Sequence, residues 1–252
     1  MWNPDYVLAV GLTFFAAGFV KGVIGLGLPT VSLALLTATV GLKAAMALLI
    51  VPSLVTNVWQ GLTGGALRVL LKRLWPFLAA GVLGTWLGVR GLTRFDTSLL
   101  SALLGVLLCL YAGLNLRRPR VPAIGRSEAW LGPAVGAVTG VLTGLTGSFV
   151  VPGVMYLQAL GMSRDTLVQA MGVAFTVATV ALAVALNDQR LITAELGALS
   201  VAGVVPAAIG MVVGQRVRHR MSETAFLKVF FAALAVLGVY IIVRSLIAYA
   251  PV

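Results

Sequence analysis

Side chains that could do acid–base, nucleophilic or metal chemistry are scarce in this sequence of 252 residues. It contains one histidine (His219), one cysteine (Cys109) and seven acidic residues. The acidic residues fall near the ends of apolar stretches or between them, and no two are spaced so that a helix would pair them for a two-metal site. The sequence therefore argues against an enzyme and predicts no metal and no other cofactor.

The remaining polar residues are suited to binding a small oxyanion. Lys21 is the only charged residue deep in the first apolar stretch, and ionisable residues inside a membrane usually have a function. It lies beside the Gly-rich segment Gly22–Pro29, and a similar segment, Gly144–Pro152, occurs later. A helix broken at such a segment would present unpaired N–H groups and a positive dipole end to an anion. The alternative for Lys21 is a side chain that extends to the membrane surface.

The predicted substrate-binding set combines this lysine with the two Gly-rich segments and the polar side chains near them. It comprises Lys21, Gly22, Gly25, Gly27, Pro29, Thr30, Asn57, Gln60, Gly144, Thr146, Gly147, Ser148, Pro152 and Gln169. We expect these residues to form one anion site between two halves of the chain. Two alternatives stay open, since small residues can serve close helix packing and each polar side chain can instead bond a neighbouring helix.

The composition indicates the setting in which these residues lie. Hydrophobic residues make up 60% of the chain and charged residues 10%, against about 45–50% and about 25% in soluble domains. This excludes a soluble or disordered chain and makes the lipid bilayer the first partner. The formal charge is +11, but the basic residues lie between apolar stretches, where they set membrane orientation. Nucleic-acid binding is therefore not predicted.

Eight apolar stretches divide the chain. They cover about 6–40, 43–62, 75–93, 97–116, 129–160, 166–187, 194–216 and 224–249. A membrane-crossing helix needs about 20 residues, so the sequence predicts an all-α integral membrane protein with about eight crossings and no folded domain outside the bilayer. The first and fifth stretches are longer than one crossing needs, and both contain a Gly-rich, Pro-containing interruption. We expect a broken helix or a helical hairpin at each of them.

The chain repeats. Residues 1–118 form a first repeat, 119–128 a basic linker loop and 129–252 a second repeat. Glycines recur in the same order in both halves: Gly18, Gly22 and Gly25 match Gly140, Gly144 and Gly147, and Gly84 and Gly88 match Gly210 and Gly214. Duplicated halves with interrupted helices are typical of secondary transporters.

The distribution of basic residues favours hairpins. If every stretch crosses once, the two membrane sides hold 9 and 8 lysines and arginines, which specifies no orientation. If the two long stretches each return to their starting side, the sides hold 12 and 5, with Lys21 set aside. The second arrangement obeys the positive-inside rule, inverts the two halves relative to each other and places both termini outside. Both topologies remain open at this point.

Three segments resemble a known family. Residues 18–29 (GFVKGVIGLGLP), 52–60 (PSLVTNVWQ) and 140–152 (GVLTGLTGSFVVP) are similar to motifs of the TauE/SafE sulfite exporter family, and the resemblance covers nearly the whole chain. The sequence departs from the family pattern at Leu28, where a further glycine is frequent.

The resemblance implies a multi-pass transporter of small sulfur-containing anions, such as sulfite or organosulfonates, in a bacterial inner membrane. Alternating access is the expected mechanism. The alternatives are an anion channel and, with less support, a membrane-embedded enzyme. The anion, the transport direction, a coupling proton or ion, and a homo-oligomeric state are left open.

Overall fold

The computed structural model describes residues 4–117, 124–218 and 222–249, and nearly all of them are helical. The helices are α1 (Pro4–Ile24), α2 (Leu28–Val40), α3 (Leu42–Leu48), α4 (Ile50–Leu62), α5 (Leu67–Leu92), α6 (Thr97–Arg117), α7 (Glu128–Thr146), α8 (Gly153–Ala159), α9 (Arg164–Asp188), α10 (Ala194–Ala202), α11 (Val204–Arg218) and α12 (Glu223–Tyr249). The all-α prediction is confirmed. Residues 119–123 of the predicted basic linker, and His219, lie outside the described residues. Within the rest of the linker, Gly125–Ser127 form a 3-10 turn.

Six helical stretches of the described chain are long and apolar enough to cross a membrane. They are Pro4–Ile24, Thr97–Arg117, Glu128–Thr146, Arg164–Asp188, Ala194–Arg218 and Thr224–Tyr249. A bent pair formed by α3 and α4, with an angle of 44° between them, would be a seventh. The 26-residue helix α5 is not among the six and carries Arg68, Lys72, Arg73 and Arg90. The polytopic membrane class is confirmed, whereas only six or seven of the expected eight crossings are found.

Both long apolar stretches are interrupted where their Gly and Pro residues predicted it. α1 ends at Ile24 and α2 begins at Leu28, and α7 ends at Thr146 while α8 begins at Gly153. The expectation of broken helices is therefore confirmed at both places.

The chain forms two compact units, and each draws helices from both halves of the sequence. The first unit contains α1, α2, α3, α6, α10, α11 and α12, and the second contains α5, α7, α8, α9 and most of α4. In the first unit the extensive helix pairs are α1 with α11 and α6 with α12, and in the second the main pair is α5 with α7. The first helix of each sequence half thus packs on a helix contributed by the other half.

Glycines at the repeated positions permit these close helix pairs. Gly22 of α1 lies so close to α11 that an added Cβ would be 2.9 Å from the backbone nitrogen of Gln215. In the second unit, a Cβ on Gly140 of α7 would be 2.9 Å from the backbone nitrogen of Thr85 on α5. Real Cβ atoms essentially never approach other atoms within 3.0 Å, so both pairs require glycine. Small residues at helix crossings are the usual means of close packing within membranes.

The bend between α3 and α4 is stabilised by one buried side chain of the first unit. Ser200 Oγ on α10 donates to the carbonyl oxygen of Leu48 (2.7 Å) and accepts from the backbone nitrogen of Val51 (3.1 Å). A bend frees backbone groups that cannot bond water inside a membrane, and Ser200 supplies a partner to one group on each side of it.

Candidate functional site

The first break is shaped by two glycines with left-handed backbone. Gly25 has φ 80° and Gly27 has φ 100°, values that residues with a Cβ rarely adopt. The Gly25 nitrogen still donates to the Lys21 carbonyl (2.8 Å), and the next turn is closed when Val31 donates to the Gly27 carbonyl (2.8 Å). Pro29, in the first turn of α2, has no N–H to lose. The segment Gly22–Pro29 therefore ends one helix and starts another within three residues.

Backbone donors at this break lack protein partners. Among the described residues, no hydrogen bond is made by the N–H groups of Leu26, Gly27, Leu28 or Thr30. Leu28 and Thr30 are buried, so solvent does not readily supply an acceptor for the N–H groups of these two residues. They stand at the N-terminus of a 13-residue helix, where the helix dipole adds positive potential. This arrangement suits an anion.

Lys21 lies four residues before Gly25 in the last turn of α1. Only 6% of its surface is exposed, which disfavours the alternative of a lysine extended to the surface. A positive charge at this position would add to the attraction of an anion to the first break.

The second break is held by hydroxyl groups. Gly147, with φ 76°, ends α7 and its nitrogen donates to the Thr143 carbonyl (2.7 Å). Thr143 Oγ1 lies within hydrogen-bonding distance of two carbonyl oxygens, those of Thr139 (2.7 Å) and Ser148 (3.1 Å). Thr146 Oγ1 accepts from the Ser148 nitrogen (3.3 Å). The hydroxyls of Thr143 and Thr146 therefore bond the Ser148 backbone and shape the chain around the break.

Unpartnered backbone donors follow at this break as well. Within the described part of the chain, no hydrogen bond is made by the N–H groups of Phe149, Val150 or Val151. Phe149 is 3% exposed and Val150 is 4% exposed, and orphaned donors at such burial are uncommon. The Val151–Pro152 peptide bond is cis, and α8 begins directly after it. Both breaks thus present several backbone N–H groups without protein acceptors.

A small cavity adjoins the second break within the second unit. Its volume is about 30 Å³, and α5, α7 and α9 line it together with Phe149 and Gly153. Thr85, Thr139 and Thr143 line it too, but their hydroxyls bond carbonyls four residues earlier in their own helices. About two waters fit into such a volume, so the cavity as it stands is too small for an oxyanion.

Four residues of the predicted set have structural roles in the fold. Gly22 and Gly144 lie at the close helix contacts, where added Cβ atoms would overlap neighbouring backbone. In the second unit, Gln60 Nε2 donates to the Val168 carbonyl (2.8 Å), and Gln169 Nε2 donates to the Gly61 carbonyl (3.0 Å). Gln169 Oε1 also accepts from the Ala66 nitrogen (3.0 Å). The two glutamines fasten α4 to α9.

The remaining predicted residues divide between the two units. Lys21, Gly25, Gly27, Pro29 and Thr30 belong to the first unit. Asn57, Thr146, Gly147, Ser148 and Pro152 belong to the second, where Asn57 is fully buried on α4.

The sequence did not single out the donors at Leu26, Leu28 and Phe149–Val151, because apolar side chains mark these positions and the donor is the backbone. Their place directly after Gly25 and Gly147 is the signal that could have found them. In the described ranges, no three His, Cys, Asp or Glu side chains are grouped so that they could hold a metal ion.

The comparison with protein families gives one match. The model of the family described as sulfite exporter TauE/SafE matches residues 10–241, which includes both breaks and every predicted site residue. No curated protein and no solved structure matches the chain.

Proposed function

The chain belongs to the sulfite exporter TauE/SafE family, and from this we propose that it carries small sulfur-containing oxyanions, such as sulfite or organosulfonates, across a bacterial cell membrane. The single observation that carries the proposal is the set of unpartnered backbone donors at the two breaks. A transported anion must leave water, and it therefore needs hydrogen-bond donors that the protein does not already use. In this proposal the donors are backbone amides, and at the first break Lys21 supplies the positive charge.

Sulfur oxyanions fit this donor set better than carboxylates of the same size. Sulfite and sulfonate groups present three oxygens around one sulfur atom, and each oxygen can accept N–H donors from a different direction. The first break offers four such donors within the first unit, and the second break offers three consecutive ones, at 149–151, within the second unit. Backbone donors change little when side chains vary. Selectivity among sulfonates would therefore depend on the side chains that contact the rest of the substrate.

In the proposed topology each half has four membrane segments, and the first segment of each is a hairpin. α2 and α8 return toward the side where α1 and α7 began, so the two halves are inverted relative to each other. α2 has 13 residues and covers about 20 Å at 1.5 Å per residue. α8 has seven residues and covers about 10 Å. Both return helices are therefore shorter than the hydrocarbon thickness of about 30 Å, as in re-entrant arms that do not cross completely. The reciprocal glycine contacts of α1 with α11 and of α5 with α7 support the same inversion.

Alternating access is the proposed mechanism, because duplicated halves with interrupted helices are typical of secondary transporters. A space of about 30 Å³ cannot admit sulfite without movement of the surrounding helices. A transporter that binds its substrate only in certain conformations must pass through states in which the site is closed. Movement of α5 and α7 together would change this cavity, because both helices line it.

Ligand stabilisation of the purified protein tests the substrate class. The thermal unfolding midpoint would be measured with sulfite, methanesulfonate, thiosulfate and acetate at matched ionic strength. We expect a sulfur oxyanion to raise the midpoint with saturation, because a ligand that binds only the folded state stabilises it by mass action. Stabilisation by acetate alone would contradict the assignment, and single-channel currents in bilayers would contradict a carrier.

A further inference from the structure

The first unit contains a cavity that has several polar side chains in its lining and includes no residue of either break. It has a volume of about 170 Å³ and is lined by the C-terminal part of α2, the start of α3, the start of α6 and the end of α12. About ten waters, or one small oxyanion with part of its hydration, fit into this space. Its polar lining consists of five hydroxyl side chains and one guanidinium: Thr37, Thr97, Ser98, Ser101, Ser245 and Arg244.

Thr37 is the residue that distinguishes this cavity from a packing defect. It is 7% exposed, lines the cavity, and its Oγ1 has no hydrogen-bond partner. On the same helix, Thr39 Oγ1 donates to the carbonyl of Leu35, four residues earlier (2.9 Å). A buried hydroxyl without a partner costs free energy unless a ligand or water completes it.

The charge at the cavity is provided by Arg244 of α12. Its Nη1 donates to the carbonyl of Ala38 at the end of α2, and this bond fixes the guanidinium beside the cavity. Arginine has five N–H donors in a planar fork that matches the oxygens of sulfate or phosphate groups. The backbone amides at the start of α6 are not part of this donor set, since the Asp96 carboxylate accepts from the nitrogens of Ser98 (2.7 Å) and Leu99 (3.4 Å).

We propose that this cavity is a second oxyanion site, in which the Arg244 guanidinium and the Thr37 and Ser245 hydroxyls bind a sulfate-like or phosphate-like group. The inference does not rest on the proposed transport function, because none of these residues belongs to the breaks. The same chemistry can come from a free inorganic oxyanion or from the phosphate of an anionic lipid headgroup.

The test uses the full-length purified protein and three variants. Thr37→Val removes only the hydroxyl, and because that hydroxyl has no partner, the unliganded protein should not lose stability. Arg244→Gln removes the charge. Thr39→Val is the matched control, because Thr39 is on the same helix, is exposed and does not line the cavity.

In the first arm, the unfolding midpoint is titrated with sodium sulfate in lipid-free detergent. We expect Thr37→Val to weaken the apparent sulfate affinity about tenfold and Arg244→Gln about 30-fold or more, with Thr39→Val unchanged. The titration is repeated in a Lys21→Ala background, which weakens oxyanion binding at the proposed transport site, so that the remaining sulfate response reports on this cavity. In the second arm, retention of phosphatidylglycerol is measured by native mass spectrometry after extraction from mixed vesicles.

Loss of sulfate stabilisation in Thr37→Val and Arg244→Gln but not in Thr39→Val would support a site for free oxyanions. Loss of phosphatidylglycerol retention in the same two variants, with no sulfate response, would support the same site with a lipid headgroup as its occupant. The proposal is overturned if Thr37→Val keeps the wild-type response in both arms, or if the wild-type protein responds in neither.

Discussion

Replacement of Gly144 by alanine tests whether the glycine pairs hold the helices together. A Cβ at this position of α7 would lie 2.5 Å from the backbone nitrogen of Val89 and 2.7 Å from the backbone carbon of Gly88 on α5. Both are backbone atoms, so no side-chain rotation can relieve the overlap and the helices must separate. Overpacking of a well-packed interior typically costs about 1–3 kcal/mol, and the ordinary gain of alanine over glycine within a helix is about 1 kcal/mol. The expected net loss is up to about 2 kcal/mol.

The matched control is Gly113→Ala in α6. A Cβ added there meets no atom within 4 Å, so only the helix propensity changes and the protein should gain up to about 1 kcal/mol. The assay is the thermal unfolding midpoint of both purified variants in the same detergent, with sulfite absent. We expect the midpoint of Gly144→Ala to fall and that of Gly113→Ala to rise. Equal midpoints, or a rise for Gly144→Ala, would refute the packing role of the repeated glycines.

Three further predictions follow from other parts of the structure. Gln169→Leu leaves the Gly61 carbonyl and the Ala66 nitrogen without their partner, which should cost about 1–3 kcal/mol for each group that is buried, whereas Gln189→Leu at the end of α9 should be nearly neutral in the same unfolding assay. Single cysteines at positions 65 and 222 should both react with a membrane-impermeant thiol reagent from the cytoplasmic side, and labelling from opposite sides would disprove the hairpin topology. Lys21→Ala should weaken sulfite affinity roughly 30-fold to several thousand-fold by titration calorimetry while the protein still folds, and unchanged affinity would leave the site to backbone donors alone.

The class of the protein and the places of its helix breaks were predictable from sequence. Long apolar stretches have few alternatives to membrane helices, and Gly25, Gly27 and Pro29 mark the first break through backbone rules that act locally. The second break was predictable for the same reason at Gly147 and Pro152. The bend between α3 and α4 was not predicted, because it depends on Ser200, a residue distant in sequence that completes the backbone at the bend.

The division of roles among the glycines could not be predicted from their spacing. Gly22 and Gly25 both belong to the repeated motif, but Gly22 faces the backbone of α11 whereas Gly25 has a positive φ and meets no atom within 4 Å. The spacing of the glycines shows that small residues are required at these positions. It does not show whether each glycine faces a helix or a ligand. Only the tertiary contacts separate packing glycines from those that shape the break.

The roles of the two glutamines could not be predicted from the sequence either. Gln60 and Gln169 were predicted as substrate ligands because they are polar residues in apolar stretches. The structure gives each of them a backbone partner on the facing helix. In a membrane protein a polar side chain can be required by helix association or by a ligand, and residue type alone does not distinguish the two.

Sulfite exchange by the protein in liposomes tests the central claim most directly. Vesicles loaded with unlabelled sulfite would receive external sulfite labelled with ³⁵S, and uptake would be compared for the wild type, Gly147→Leu at the second break and Gly113→Leu as control. We predict saturable exchange that Gly113→Leu retains and Gly147→Leu loses, because a side chain at φ 76° strains the break and fills the approach to its donors. Exchange that Gly147→Leu retains in full, or wild-type vesicles that exchange no sulfur oxyanion, would contradict the account.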